Sequence, residues 1–264
     1  PAEVAKLAMI IFLASLICKM QRNVVSRKGF FLVMLTPLPI CLMVYGITRN
    51  LSSAIIIMGI AFLMLFVATP GYRRFILILG GGISAAALIV YAISKASYSS
   101  SMNYRFARVL AWLDPEAYAS GKGFQTLQAL YAIGSGGVFG KGLGQSMQKM
   151  GFIPEAQNDM IVCISCAELG LFGAIAVIMM FVLVLWRLVI IANNAPDLFG
   201  ALLVVGVMGH ISIQVILNIA VVTNVIPNTG ITLPFISYGG SAVLLQLAEI
   251  GMVLNVARNI PVNE

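Results

Sequence analysis

Charged residues are scarce in this chain of 264 residues, where Asp, Glu, Lys and Arg together make up 9% of the sequence. A soluble domain carries about 25% charged residues, whereas 60% of this chain is hydrophobic. No soluble fold of this length has an interior large enough for so much apolar sequence, which excludes the soluble classes. Long apolar runs, many of about 17 residues or more, indicate transmembrane helices rather than the short alternating strands of a barrel.

Cysteine and histidine are also rare, with four cysteines and one histidine in the chain. Cys163 and Cys166 form a C-x-x-C pair. No second pair accompanies them, so we interpret them as packing residues rather than a metal or redox site. His210 has no second metal ligand in view, and we predict that it packs or forms hydrogen bonds. Gln214 and Asn218 continue its helical face, a polar stripe typical of hydrogen bonding between membrane helices.

The hydrophobic pattern predicts an all-α, polytopic transmembrane helix bundle that forms one domain over residues 1–264. The seven predicted spans cover residues 3–19, 29–47, 51–69, 74–94, 160–191, 198–222 and 231–257. A large loop, about 95–159, separates the fourth span from the fifth. The chain begins directly in an apolar run without an initiator Met, and we expect it to be a piece of a longer protein.

Basic residues collect on one side of the membrane if the spans alternate. The connections on that side hold Lys19, Arg22, Arg27, Lys28, Arg73, Arg74, Arg187 and Arg258. The positive-inside rule makes this side cytoplasmic, with the C-terminus inside and the long loop outside. The net charge of +7 therefore indicates cytoplasmic loops and contacts with anionic membrane lipids, and no nucleic acid.

The outer loop has two recognisable segments. In FQTLQALYAI (124–133), Phe124, Leu127 and Tyr131 occur at helical spacing, which predicts a short helix on the membrane surface. The glycine-rich GSGGVFGKGLG (134–144) departs from a Walker A motif at two required positions, which excludes a nucleotide-binding P-loop. We predict a flexible turn packed close to a helix or to lipid headgroups.

The outer loop also carries charges of both signs. The basic residues suit either the binding of an anionic headgroup or simple anchoring at the interface, and they are Arg105, Arg108, Lys122, Lys141 and Lys149. Asp159 ends the loop immediately before an apolar run, and two roles are open for it. It is predicted to cap the following helix or to act as a general base at the membrane boundary. Glu155 is its companion in the loop.

Polar groups also occur inside the apolar runs. Glu168 and Glu249 predict a polar cavity or buried pairs, because intramembrane carboxylates are costly. Glu3 and Lys6, three residues apart, are predicted to neutralise each other. The prolines and glycines of VTNVIPNTGITLPFISYGGSAVL prevent a single smooth helix. Its hydroxyls, including those of Ser237 and Ser241, are predicted to line a cavity.

Several long motifs occur in order along the chain: PAEVAKLAMIIFLA, NLSSAIII, YRFARVLAWLDP, GFQTLQALYAIGSGGVFGKGLGQSMQK, IPEAQNDMIVCISCAELGLFG and IPNTGITLPFISYGGSAVL. Together they resemble the SEDS proteins (shape, elongation, division and sporulation), the FtsW/RodA/SpoVE group, and especially its division and sporulation branch. The resemblance implies a fold of ten membrane helices, of which this chain holds the fourth to the tenth.

The resemblance also implies an activity in the bacterial cytoplasmic membrane. Members are peptidoglycan glycosyltransferases that polymerise lipid II into glycan strands during division, elongation or sporulation. They work with a class B penicillin-binding protein, which cross-links the strands. Two alternatives fit the same features: a flippase that moves lipid-linked precursors, and a non-catalytic scaffold that activates the penicillin-binding protein.

The family motifs assign roles to residues of this chain. Asp159 matches the catalytic aspartate, which takes or orients the proton of the acceptor hydroxyl. The resemblance and the residue patterns together make six further residues candidates for substrate binding: Arg105, Arg108, Lys149, Glu155, Ser237 and Ser241. A divalent cation, Mg²⁺ or Mn²⁺, is a further expectation. The chain departs from the family at Gln157 and Asn158, which replace His and Thr, and at Asn224, which replaces a common Gly.

Overall fold

The computed structural model describes residues 2–48, 50–95, 104–121, 123–146 and 156–261, and these residues contain helices and no strand. The side chains of residues 95 and 104–106 are outside the description. The α-helices are α1 (Ala2–Met20), α2 (Arg27–Leu35), α3 (Leu38–Thr48), α4 (Leu51–Ala68), α5 (Arg73–Lys95), α6 (Tyr104–Leu113), α7 (Phe124–Gly136), α8 (Ile161–Asn193), α9 (Leu198–Val222) and α10 (Gly240–Arg258). A short 3₁₀ helix, Gln21–Val25, follows α1.

Within the described residues, six helical segments are long and apolar enough to cross a membrane. They are α2 with α3, α4, α5, α8, α9 and α10. The predicted polytopic helix bundle is therefore confirmed. The first predicted span forms α1, but this helix carries Glu3, Lys6 and Lys19 and is not among the six. Its crossing of the membrane, and the total of ten spans, stay predictions.

Three of the predicted spans are interrupted or shortened. Pro37 separates α2 from α3, because a proline ring is incompatible with the preceding helical turn. Gly170 leaves the helical conformation inside α8, with φ 67° and ψ −162°. The predicted start of the last span at residue 231 is wrong, because α10 begins at Gly240. Pro234 and a left-handed Phe235, with φ 62°, keep the preceding residues out of the helix.

The chain divides into two compact units. The first unit comprises Pro1–Tyr72, Met180–Val215 and Gly239–Glu264, and the second comprises Arg73–Met179 and Ile216–Tyr238. Two of the four boundaries fall inside α8 and α9, so each of these helices contributes to both units. The prediction of a single domain over the whole chain stays a prediction.

In the first unit, α1, α4 and α9 approach closely around a glycine. A Cβ atom added to Gly206 of α9 would lie 2.5 Å from Cγ2 of Ile10 and 3.2 Å from Sδ of Met64. Ile10 and Met64 are fully buried. The absence of a side chain at residue 206 therefore lets the three helices pack together.

Four ionisable side chains form a buried chain in the first unit, which we call the ion chain: Glu3, Lys6, His210 and Glu249. Lys6 Nζ lies 2.5 Å from Glu3 Oε1, and His210 Nε2 lies 3.9 Å from Glu3 Oε2. His210 Nδ1 lies 2.9 and 2.8 Å from the two carboxylate oxygens of Glu249. Because an ionised carboxylate only accepts hydrogen bonds, the Nδ1–H of His210 is the donor.

The ion chain confirms the predicted pairing of Glu3 with Lys6 and the predicted hydrogen bonding of His210. It also supplies the buried partner expected for Glu249. Lys6, His210 and Glu249 are each 1% exposed, so each group depends on the others for its stabilisation. The ion chain links α1, α9 and α10.

Candidate functional site

Asp159 lies in the second unit, two residues before the start of α8, and is 8% exposed. The next residue, Met160, is 1% exposed and belongs to an apolar cluster. The other buried members of that cluster are Ala129, Ala132, Cys163, Ile164, Ala167, Val221 and Val222. Met160 thus anchors the backbone that carries the Asp159 carboxylate. A Cβ atom added to Gly230 would lie 3.9 Å from Oδ2 of Asp159, so the backbone at residue 230 runs beside the carboxylate.

Three successive backbone carbonyls, those of residues 157–159, are held by hydrogen bonds; we call them the clamped carbonyls. Gln157 O accepts from Tyr238 N–H (2.9 Å), Asn158 O from the Ser237 hydroxyl (2.5 Å) and Asp159 O from Asn218 Nδ2 (2.9 Å). Two of the donors come from residues 223–238, the α9–α10 connection, and the third comes from α9. Because these residues lie outside regular structure, such bonds replace the missing helical ladder.

The α9–α10 connection turns sharply where it leaves α9. The N–H groups of Val225 and Ile226 both donate to Ala220 O. Asn224 adopts a left-handed conformation with φ 57°, which asparagine tolerates better than most residues. A glycine would adopt the same conformation without steric cost.

Helices α6 and α7 hold the α9–α10 connection from the loop side. Trp112 Nε1 donates to Asn224 O (2.9 Å), and Arg108 donates to Asn228 O (3.2 Å). Asn228 Nδ2 donates to Gln125 Oε1 (2.9 Å). Asn228 Oδ1 also accepts from Gly230 N–H at 3.1 Å. The short segment 228–230 therefore has Arg108 bonded near one end and the Asp159 carboxylate beside the other.

The structure places the predicted site residues unevenly. Asp159, Arg108 and Ser237 come together around the α9–α10 connection. The Ser237 hydroxyl is buried, donates to Asn158 O and accepts from Leu233 N–H. Ser241 is exposed in the first turn of α10 and belongs to the first unit. Lys149, Glu155 and the side chain of Arg105 lie outside the described part of the chain.

Two site features were not identified in the sequence. The sequence predicts Asn218 only as one member of a polar stripe, and nothing in it singles out Gln125. The one available signal is that Asn218 is a polar residue in a largely apolar helix. The predicted apolar face of α7 was also partly wrong. Leu127 is buried but Phe124 and Tyr131 are exposed, because small residues form most of the buried face.

The glycine-rich turn that follows α7 packs against the interruption in α8. Lys141 N–H donates to Ala167 O and Gly142 N–H donates to Glu168 O, both at 3.0 Å. Leu171 N–H, just past the interruption at Gly170, donates to Gly137 O at 3.0 Å. The prediction of a turn packed close to a helix is confirmed, and two of its N–H groups bind helix carbonyls rather than pointing outwards for phosphate. Glu168 is itself buried.

Gly140→Ala is expected to destabilise the full-length protein. Gly140 has φ 78°, and an added Cβ would collide with the carbonyl group of Glu168. We expect the apparent melting temperature in detergent to fall by roughly 5–10 °C. An alanine is strained in the left-handed conformation, and its Cβ would push the turn away from the Glu168 carbonyl. Gly134→Ala is the matched control, since nothing lies within 4 Å of its Cβ position. An unchanged melting temperature for Gly140→Ala would contradict the close packing.

The described residues do not fit a protein-held divalent cation. They contain no group of three or more His, Cys, Asp or Glu side chains placed to hold a metal ion. The expectation of Mg²⁺ or Mn²⁺ stays a prediction, and no chemical step below runs through a cation.

Comparisons with known proteins agree along the whole chain. A family model described as "Cell cycle protein" (FtsW/RodA/SpoVE) matches residues 1–261. Stage V sporulation protein E of Bacillus subtilis (strain 168) is 40% identical over 258 residues, which is 98% of this chain and 68% of the relative. The "Probable peptidoglycan glycosyltransferase FtsW" of Trichlorobacter lovleyi is 37% identical over 257 residues, 97% of this chain and 65% of the relative.

Solved structures give the same result. One solved structure is described as "Structural coordination of polymerization and crosslinking by a peptidoglycan synthase complex". The match covers 100% of this chain and 71% of the solved chain, with a TM-score of 0.75 and 28% sequence identity. This chain spans about two thirds of the length of the curated relatives described above.

Proposed function

Because the chain belongs to the FtsW/RodA/SpoVE family of multi-pass membrane proteins, we propose that the full-length protein is a peptidoglycan glycosyltransferase that polymerises lipid II. Relatives bear that activity in their names. One observation in this chain carries the proposal: the buried Asp159 carboxylate lies beside Gly230, and Arg108 donates to Asn228 O two residues earlier in the α9–α10 connection. A base and a cation held by the same short segment suit the transfer of a sugar from a pyrophosphate.

In the proposed reaction, the 4-hydroxyl of the acceptor sugar attacks the anomeric carbon of the donor. A new C–O bond forms as the bond between that carbon and the pyrophosphate oxygen breaks, and the bonding electrons leave with the lipid pyrophosphate. Asp159 accepts the hydroxyl proton or orients the hydroxyl for attack. The clamped carbonyls limit the movement of the carboxylate, which reduces the entropic cost of reaching the reactive geometry.

The lipid pyrophosphate that leaves needs positive charge nearby. Arg108 is half-buried on α6, and its planar guanidinium offers five N–H donors, one of which goes to Asn228 O. Arg105 precedes it by three residues in the sequence of α6. Arg105, Lys149 and Glu155 complete the proposed substrate-binding set. The Ser237 hydroxyl forms hydrogen bonds with backbone groups of Asn158 and Leu233. Ser241 stays a candidate for substrate contact.

The proposed topology puts the loop at 95–159 outside the cytoplasmic membrane and the C-terminus inside. It is supported by the basic connections on the opposite side, and by the need for the site to meet lipid II at the outer leaflet. The proposed partner is a class B penicillin-binding protein that cross-links the product. The similarity to a synthase complex that couples polymerisation with cross-linking supports this partner.

The proposal is tested with full-length protein purified together with its penicillin-binding partner, whose cross-linking serine is mutated. Fluorescent lipid II should be converted to long polymer that a muramidase digests. Movement of labelled lipid II across liposomes without any polymer would instead identify a flippase. A scaffold would give no polymer, but it would stimulate cross-linking by the wild-type partner.

Arg108→Gln is expected to lower kcat/KM for lipid II about 100-fold, equal to about 2.7 kcal/mol, because a charged hydrogen-bonding group next to the leaving pyrophosphate is lost. Arg108→Lys should lose less, since it keeps the charge but not the planar fork. Both variants are compared with wild type by their steady-state rates of lipid II polymerisation. Arg258→Gln, in the last turn of α10, is the control and should behave as wild type. Equal activity of Arg108→Gln and wild type would remove Arg108 from the site.

A further inference from the structure

Asn218 connects the two backbone segments that flank the Asp159 carboxylate. It lies on α9 and is fully buried, with 0% exposure. Its Nδ2 donates to Asp159 O at 2.9 Å and to Ile231 O at 2.6 Å. An amide NH₂ group has two donors, so both are used on backbone carbonyls. One carbonyl belongs to the segment before α8 and the other to the α9–α10 connection.

The orientation of this amide is fixed by its surroundings. If Nδ2 and Oδ1 exchanged places, the amide oxygen would face two carbonyl oxygens, and neither of them can donate a hydrogen bond. Apolar residues of α9 near Asn218 also hold the segment that precedes α8. Val221 and Val222 follow Asn218 by three and four residues, and they pack in the cluster that holds Met160. Met160 therefore sets how closely the segment approaches α9, and Asn218 sets its register.

Asn218 differs from the other donors to the clamped carbonyls. Ser237 and Tyr238 belong to the non-helical connection, which depends on the same bonds for its own conformation. Asn218 belongs to a helix of 25 residues, so its position does not depend on the segments it joins. Loss of its amide would leave two carbonyls without these donors and would uncouple Asp159 from Ile231 and the neighbouring Gly230.

We propose that Asn218 is a positioning residue for Asp159, holding the backbone of the carboxylate in fixed register with residues 230–231. This inference rests on the proposed glycosyltransferase function only for its kinetic consequence. Misplacement of a catalytic group by about 1 Å can reduce a rate about 100-fold. The effect should therefore fall on kcat, since Asn218 is fully buried.

The kinetic test uses the full-length protein with its partner. Asn218→Leu removes both donors at similar volume and is expected to lower kcat about 100-fold with KM changed by less than about threefold. Asn218→Gln keeps both donors but displaces the amide by one methylene group. It is expected to lower kcat about 10-fold at an unchanged melting temperature. Asn218→Gln therefore tests the positioning role even if Asn218→Leu does not fold. A kcat of folded Asn218→Gln within about twofold of wild type would overturn the proposal.

A second measurement does not depend on activity. Hydrogen–deuterium exchange of Asn218→Gln should speed up in peptides that cover residues 156–162 and 229–238, and nowhere else. Unchanged exchange in both peptides would overturn the positioning role, even in a protein that polymerises lipid II. A wild-type protein that makes no polymer but whose variant shows this local exchange would contradict the proposed function alone. Ser212→Ala is the control, because this hydroxyl on α9 donates to Gly209 O of its own helix.

Discussion

Asp159→Asn should reduce lipid II polymerisation by the full-length protein and its partner about 1,000-fold. General base catalysis by a positioned side chain contributes about 10²–10⁴-fold, and an amide cannot accept the proton of the acceptor hydroxyl. The substitution conserves volume at a site that is 8% exposed. The backbone bond to Asn218 involves the main-chain carbonyl of residue 159 and should survive. Folding and binding of lipid II should therefore be unchanged, so the loss appears in kcat.

The matched control is Asp114→Asn in the same loop. Asp114 is exposed, and its carboxylate accepts a hydrogen bond from the N–H of Ala117. That bond is one an asparagine oxygen also makes, so the control should polymerise lipid II at the wild-type rate. Full polymerisation by Asp159→Asn would remove this residue from catalysis. A wild-type protein that gives no polymer but still stimulates cross-linking by the partner would favour the scaffold alternative.

Breaking the ion chain should have the largest effect on stability. Glu249→Leu removes the acceptor of the His210 Nδ1–H inside the first unit, where both side chains are 1% exposed. Removal of one partner of a buried hydrogen bond leaves the other polar group unsatisfied, which costs about 3 kcal/mol. The apparent melting temperature of the full-length protein in detergent should fall by roughly 10 °C. His210→Leu should have a similar effect, because it leaves the Glu249 carboxylate buried without its donor.

The double variant His210→Leu/Glu249→Leu separates pairing from simple loss of residues. Replacing both members of a buried pair by apolar residues is often neutral or stabilising. The double variant should therefore be more stable than either single variant. Losses that simply add in the double variant would show that the two side chains act independently. The neighbouring Glu3–Lys6 pair remains in every variant and keeps the rest of the ion chain comparable.

Much of the fold follows from local sequence. Apolar runs predict membrane helices because lipid offers no hydrogen bonds to the backbone, so an apolar run must satisfy its own N–H and C=O groups in a helix. This holds for α4, α5, α8 and α9, whose ends lie within a few residues of the predictions. The helix at 124–133 and the glycine turn after it were also predictable, because helical spacing and glycine act over a few residues. The family motifs make Asp159 a candidate catalytic residue without any structure.

The polar pairings in the ion chain and at the candidate site were decided by tertiary structure alone. His210 meets Glu249 across 39 residues, and Asn218 meets Asp159 across 59. Neither separation leaves a periodic signal in the sequence. The non-helical Gly170 likewise depends on the glycine-rich turn that packs beside it. Composition and spacing determined which residues are polar in an apolar environment. Packing determined which partner satisfies each one, because a buried polar group can bond only what the fold brings within about 3 Å.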